Sequence, residues 1–225
     1  MKRTILKLFK IGLASTILVF SSLVTAEPPN LTLLRKEIKN YHDSGMYQKE
    51  LNWVLQKANN YVVAVAKANK QRKNPLKLAL VLDIDETSLS NYDFMAKRDF
   101  VGTSEQVHHE IMAANSPAIK STLALYRDAL KYGVKVFFIT GRNESERDAT
   151  QTNLKNIGYT QWSGLYLRPV IYKYPSIVPF KSQARANIVK KGYTIIATIG
   201  DQFSDLEGGY AEKGFKLPNP YYYLP

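Results

Sequence analysis

The sequence predicts an α/β fold, a parallel sheet with helices on both faces. Continuous apolar runs alternate with stretches of helical periodicity, and a glycine closes each of the helical stretches between and after the runs. Acidic and hydroxyl residues come directly after each run, at the edge where open parallel sheets carry their sites.

The first segment is a leader by its pattern. Lys2, Arg3, Lys7 and Lys10 precede an uncharged, apolar or small stretch over residues 11–24, and Val24-Thr25-Ala26 places small residues for cleavage. The apolar stretch is shorter than the roughly 18 to 20 residues that span a bilayer. Residues 1–26 are therefore expected to be a cleaved signal peptide, with no permanent membrane anchor. The mature protein should be secreted or periplasmic, and residues 27–225 should form a single domain. Among 225 residues there is no cysteine, which excludes disulfides, thiolate metal sites, Fe–S clusters, a cysteine nucleophile and an acylated N-terminal cysteine.

Charge is the next constraint. The chain carries 31 Lys and Arg against 19 Asp and Glu, a formal +12 that would ordinarily suggest nucleic acid or an anionic surface. The leader holds four of the basic residues and no acidic one, so 27 against 19 remain, a net +8. No nucleic-acid partner is expected. The basic group Lys67, Lys70, Arg72 and Lys73 has no interleaved aromatic residue to stack on a base, and it suits a solvated helix end.

Residues 31–73 read as N-terminal helices, with Leu51, Val54, Leu55, Ala58, Val62 and Val65 on one face of a long helix. Leu78-Ala79-Leu80-Val81-Leu82 then reads as a strand buried on both faces, as do residues 134–139 and 194–199. Helices are predicted over residues 118–132, 144–157 and 180–191, ending at Gly133, Gly158 and Gly192. The first strand leads into Asp83-Ile84-Asp85-Glu86-Thr87, the second into Thr140-Gly141-Arg142, and the third into Asp201 and Asp205. A single Asp after a strand usually caps a helix or makes a turn. Four on one sheet edge repel one another unless a cation or a proton offsets them, which implies a hard divalent ion, Mg²⁺.

Asp83-x-Asp85-x-Thr87, Thr140, Lys181 ahead of a helix, and Asp201 with Asp205 form an ordered set that resembles the four motifs of the haloacid dehalogenase superfamily of phosphohydrolases. The segment from Asp83 to Tyr92, the run Phe138-Ile139-Thr140-Gly141-Arg142 and the lead-in Tyr41-His42-Asp43-Ser44-Gly45-Met46-Tyr47 are similar to secreted class C acid phosphatases and to plant acid phosphatases and vegetative storage proteins. The resemblance implies a Rossmann-like core with a small inserted cap over residues 88–117, and Mg²⁺-dependent hydrolysis of phosphate monoesters. It also implies metal ligation by the Asp83 carboxylate, the Asp85 backbone carbonyl and Asp201, with Asp205 either ligating or orienting Lys181.

Phosphoryl transfer needs an in-line nucleophile, neutralised equatorial oxygens and a proton for the leaving group. Asp83 at the strand tip suits the nucleophile, and Asp85 the general acid and then base. In the superfamily that the chain resembles, the ATPases carry threonine at this second position and the dehalogenases lack the aspartate, so Asp85 favours monoester hydrolysis. Thr140, the neighbouring Gly141 amide and Lys181 are the expected phosphate-binding groups, with Lys173 the alternative lysine. A 5′-nucleotidase, a phosphotransferase or an inactive storage relative are the alternatives.

His108-His109-Glu110 lacks the second histidine of an HExxH site and is expected to be polar surface. Tyr92, Phe94 and Phe100 are expected as core, with the leaving-group pocket as their alternative, and Tyr221-Tyr222-Tyr223 as a packed tail.

Overall fold

A computed structural model describes residues 28–225; the leader expected over residues 1–26 lies outside the described residues. Two helices come first, α1 (Leu31–Asp43) and α2 (Met46–Lys70). The predicted helical stretch breaks at Gly45, whose φ of +82° is a left-handed conformation that favours glycine. The helical regions between the strands are α3 (Tyr92–Lys97), α4 (Ser104–Met112), α5 (Lys120–Lys131), α6 (Arg147–Asn156) and α7 (Val178–Lys190). Asn143 to Glu146 form a capping box, so the helix expected from Glu144 begins as one tight 3₁₀ turn. Gly133, Gly158 and Gly192 all have positive φ at the predicted helix ends.

The sheet has five parallel strands, β1 (Lys77–Leu82), β2 (Lys135–Asn143), β3 (Gly164–Arg168), β4 (Tyr193–Gly200) and β5 (Gly214–Lys216), in the order β3-β2-β1-β4-β5. The three predicted strands are the central ones. Successive residues face opposite layers. Leu78, Leu80 and Leu82 of β1, with Val136, Phe138, Ile196 and Ile199, pack under α2 and α5 in one core. Ala79, Val81, Phe137, Ile139 and Ile195 face α7 through Ala184 and Ile188 in the other. Leu51, Leu55, Ala58 and Val62 of α2 are fully buried, each side chain worth about 1.5 to 3 kcal/mol when it is a Val or Leu, and Val54 and Val65 pack partly buried beside them. Lys67, Lys70, Arg72 and Lys73 lie at the exposed helix end.

Strand order reverses direction between β1 and β4, since β2 and β3 lie to one side and β4 and β5 to the other. Such a switch point opens a crevice at the carboxyl ends of the strands. Among the described residues no helix is long and apolar enough to cross a membrane.

Candidate active site

Asp83 is the residue after β1, and its backbone N–H still donates to Ile199 of β4 at 3.0 Å, which holds it at the switch point. Lys181, in the first turn of α7 after Pro179, is 2% exposed. Its Nζ donates to Asp83 Oδ1 at 3.0 Å and also to Asp205 Oδ1. Asp201 comes directly after β4, and Asp205 ends a 3₁₀ turn, Phe203–Asp205, that folds back on the strand. A Cβ on Gly200 would collide with the Asp205 side chain, so only glycine admits this return. Carboxylate oxygens of Asp83, Asp201 and Asp205 lie within 4.8 Å of one another.

Three buried carboxylates against one ammonium leave two negative charges. Burial lowers the affinity of Lys181 for its proton, but Asp205 and Asp83 outweigh it, and the group is pushed up. The surplus falls on the acids: burial and then Asp205 push Asp83 well above the usual carboxylate range. The same causes push Asp201 up to about 6 even though Asn219 and Gln202 donate to it. An all-oxygen, doubly negative, buried set fits a hard divalent cation. Asp201 is further fixed by Thr87 Oγ1 at 2.9 Å, Gln202 Nε2 at 2.8 Å and Asn219 Nδ2 at 2.6 Å, the kind of outer support that ligating carboxylates need.

Asp85 stands apart from this group. Burial would raise it, but Arg142 outweighs burial and, with Asn91, holds it below the usual carboxylate range. Arg142 Nη2 donates to Asp85 Oδ1 at 2.7 Å and Nε to both oxygens at 3.1 Å, and Asn91 Nδ2 adds a bond at 2.8 Å. The Arg142 side chain is 1% exposed, and its Nη1 is tied to Thr150. Next along the chain, Glu86 is buried and pushed up to about 8 by burial and by Asp85 and Asp201.

The cleft above these groups has a volume of about 560 Å³. Asp83, Asp85, Lys181, Asp201 and Gly141 line it; Thr140 lies fully buried in β2, where its Oγ1 accepts from Arg142 N–H at 3.1 Å. Lys173 is exposed in the loop ahead of α7, so Lys181 is the lysine brought to Asp83. Phe100 lines the cleft, Tyr92 is buried behind it, and Phe94 faces a separate, shallower depression.

The sequence patterns assign no role to Arg142, Asn91, Asn219 or Glu86. His108 is exposed, as expected of polar surface, and also lines the cleft, with Nδ1 2.8 Å from buried Glu146. Tyr221 and Tyr222 are likewise cleft walls as well as packed tail. Arg142 was legible as a basic residue two positions past Thr140, and Glu86 and Asn91 lie in the same segment as Asp85; Asn219 reaches the site from a separate loop.

Residues 20–225 match the family described as HAD superfamily, subfamily IIIB (Acid phosphatase). The chain is 34% identical over 191 residues to Acid phosphatase 1 of Solanum lycopersicum, covering 83% of this chain and 73% of that protein. To Vegetative storage protein 1 of Arabidopsis thaliana it is 34% identical, covering 81% and 67%. The fold is that of a class C acid phosphatase from Bacillus anthracis, with a TM-score of 0.65 at 22% identity over 85% of this chain and 86% of that one. The sheet order, the acidic edge and this kinship agree: the chain belongs to the acid phosphatases of subfamily IIIB of the HAD superfamily, enzymes that hydrolyse phosphoric monoesters.

Proposed function

We propose that the enzyme hydrolyses small phosphate monoesters in two displacements through an aspartyl-phosphate on Asp83, with Mg²⁺ held by Asp83, Asp201, Asp205 and the Asp85 backbone carbonyl. The observation that carries this reading is the pairing of two carboxylates in opposite surroundings: Asp83 against Lys181 Nζ at 3.0 Å, and Asp85 clamped by Arg142. An Asp83 oxygen attacks phosphorus as the bond to the leaving oxygen breaks, and protonated Asp85 gives that oxygen its proton. Ionised Asp85 then takes a proton from water, whose oxygen attacks the same phosphorus and releases phosphate and Asp83.

The bound cation would offset the two surplus negative charges and favour ionised Asp83. Lys181 supplies a fixed positive charge beside the transferring group, and the Gly141 amide, at the cleft wall, supplies a donor next to Thr140. The hold of Arg142 on Asp85 suits the second displacement, where Asp85 is a base. In the first it must be protonated, a state that acidic solution favours.

Residues 88–117 serve as the cover of the cleft in this reading, since α4, fixed by the capping box of Thr103 and Gln106, walls it through Val107 and His108. Export rests on the leader pattern of residues 1–26 and on a relative named Stem 28 kDa glycoprotein, glycosylation being a mark of secreted proteins. A 5′-nucleotidase or phosphotransferase is the narrower second reading. It is favoured by the aromatic wall of the cleft, where Phe100 stacks on the buried Tyr221 ring at a centroid distance of 5.7 Å and offers an apolar surface to a planar leaving group. Comparing nucleoside monophosphates with simple aryl phosphates separates the two.

Asp83→Asn tests the mechanism. It should lower turnover by about 10⁴-fold or more while circular dichroism and most cation binding are kept. An Asp83→Asn enzyme that turns over normally overturns the reading.

A further inference from the structure

The polar contacts of residues 219–225 are unusual in where they go. This segment has no regular structure, yet it touches the end of every element that carries a candidate site residue. Asn219 accepts from Tyr221 N–H at 2.8 Å, which turns the chain, while its Nδ2 donates to Asp201 at 2.6 Å. The Gln202 side chain donates to the Tyr222 carbonyl at 3.3 Å and accepts from Leu224 N–H at 3.2 Å. Ser204 Oγ donates to the Leu224 carbonyl at 3.1 Å, and Ile177 N–H, just ahead of α7, donates to the Pro225 carbonyl at 2.7 Å.

On the other side of the cleft, Tyr222 OH donates to Glu86 Oε2 at 3.2 Å. Glu86 in turn accepts from Asn91 N–H at 2.6 Å, and Asn91 donates to Asp85. The Leu224 side chain lies 3.0 Å from where a Cβ of Gly141 would stand. Tyr221 anchors the segment from behind, buried against Tyr47 and Tyr92 at ring-centroid distances of 5.5 Å each.

We infer that residues 221–225 are a clasp that holds the four active-site loops in register, with Tyr222, Leu224 and Pro225 as positioning residues for the loops of Asp85 and Gly141, of Asp201 and of Lys181. The physical reason is that the carboxylate floor resists its own assembly. Asp83, Asp201 and Asp205 repel one another, Lys181 offsets one of the three charges, and β1 and β4 end one residue before Asp83 and Asp201. A segment with no charged side chain, bonded to Glu86, to Gln202 and Ser204 and to Ile177 N–H and packed on Gly141, restrains the loops without adding a charged group to the floor. Misplacement of a reacting group by about 1 Å can cost about 100-fold in rate even when substrate still binds.

The inference rests on the phosphatase reading, and one set of assays separates the two. A chain ending at Tyr221 keeps Asn219, the buried Tyr221 anchor and the whole sheet; with a simple aryl phosphate its kcat should fall about 100-fold and its KM change less than about fivefold, with the thermal midpoint nearly kept. Leu224→Ala should lose about tenfold in kcat, and Tyr222→Phe, which keeps the ring and loses the Glu86 bond, should lose less. Wild-type enzyme with no turnover overturns the phosphatase reading itself. Active wild type with a truncated chain within about threefold in kcat overturns the clasp, as does a loss that tracks only the unfolded fraction. If the truncated chain does not fold, folded Leu224→Ala and Tyr222→Phe proteins with unchanged kcat overturn it equally.

Discussion

Asp83 and Asp85 are two residues apart and share one sheet edge, yet their surroundings push them in opposite directions. Asp83 sits in a group of three carboxylates with one lysine, where burial and like charge raise it. Asp85 has an arginine fork to itself, and its charge is matched. The first environment is left short of positive charge and fits a cation; the second is complete within the protein. Backbone geometry makes this possible, because the chain leaves the strand after Asp83 and turns where Thr87 and Ser88 N–H donate to the Ile84 carbonyl, which carries Asp85 to Arg142 of β2.

The comparison breaks most sharply at Lys181. Lys181→Met removes the one ammonium from the Asp83 group. It should lower kcat by about 10²- to 10³-fold. At neutral pH it should also cost about 3 to 5 kcal/mol of stability in chemical denaturation, because buried carboxylates are left unpaired. The stability loss should shrink at pH 5, where those acids take up protons. Equal loss at both pH values contradicts the charge account.

Arg142→Met tests the other half. With the fork gone, burial governs Asp85 and its proton affinity rises, so the limb of the pH–rate profile that reports Asp85 should move to higher pH, with kcat lower by about tenfold. A smaller effect lies in cation affinity, read by calorimetry on the wild type. Asp201 is raised to about 6 in the cation-free protein and binds metal only when ionised, so affinity should rise as pH increases through about 6. Proton release on binding should be largest below that pH. The smallest is stability of the cation-free protein. Glu86 is raised to about 8 from an ordinary 4.5, so the folded state holds its proton longer than the unfolded chain. That contribution is fully present below about 4.5 and is lost as pH rises toward 8, and Glu86→Gln should flatten the slope.

Much of this was legible in the sequence, for reasons that differ by element. β1, β2 and β4 are buried on both faces and so read as apolar runs. β3 is half-buried and carries Tyr166 and Arg168, and β5 has three residues, so neither leaves a periodic signal; both flank the sheet. Asp83, Asp85, Asp201 and Lys181 announce themselves because their order and their places beside strands and a helix are local. Asn219 on Asp201 and Tyr222 on Glu86 join positions 18 and 136 residues apart, and no local pattern records them. The tyrosines near the end of the sequence read as a packed tail for the same reason, since one face of that tail does pack and the other faces the cleft.

The central claim, that Asp83 carries the phosphoryl group between two displacements, is tested most directly by the stereochemistry at phosphorus. A phosphate monoester made chiral with three oxygen isotopes or with sulfur should transfer its phosphoryl group to an acceptor alcohol with overall retention, since two in-line displacements each invert the centre. Inversion would mean a single direct attack and would contradict the account.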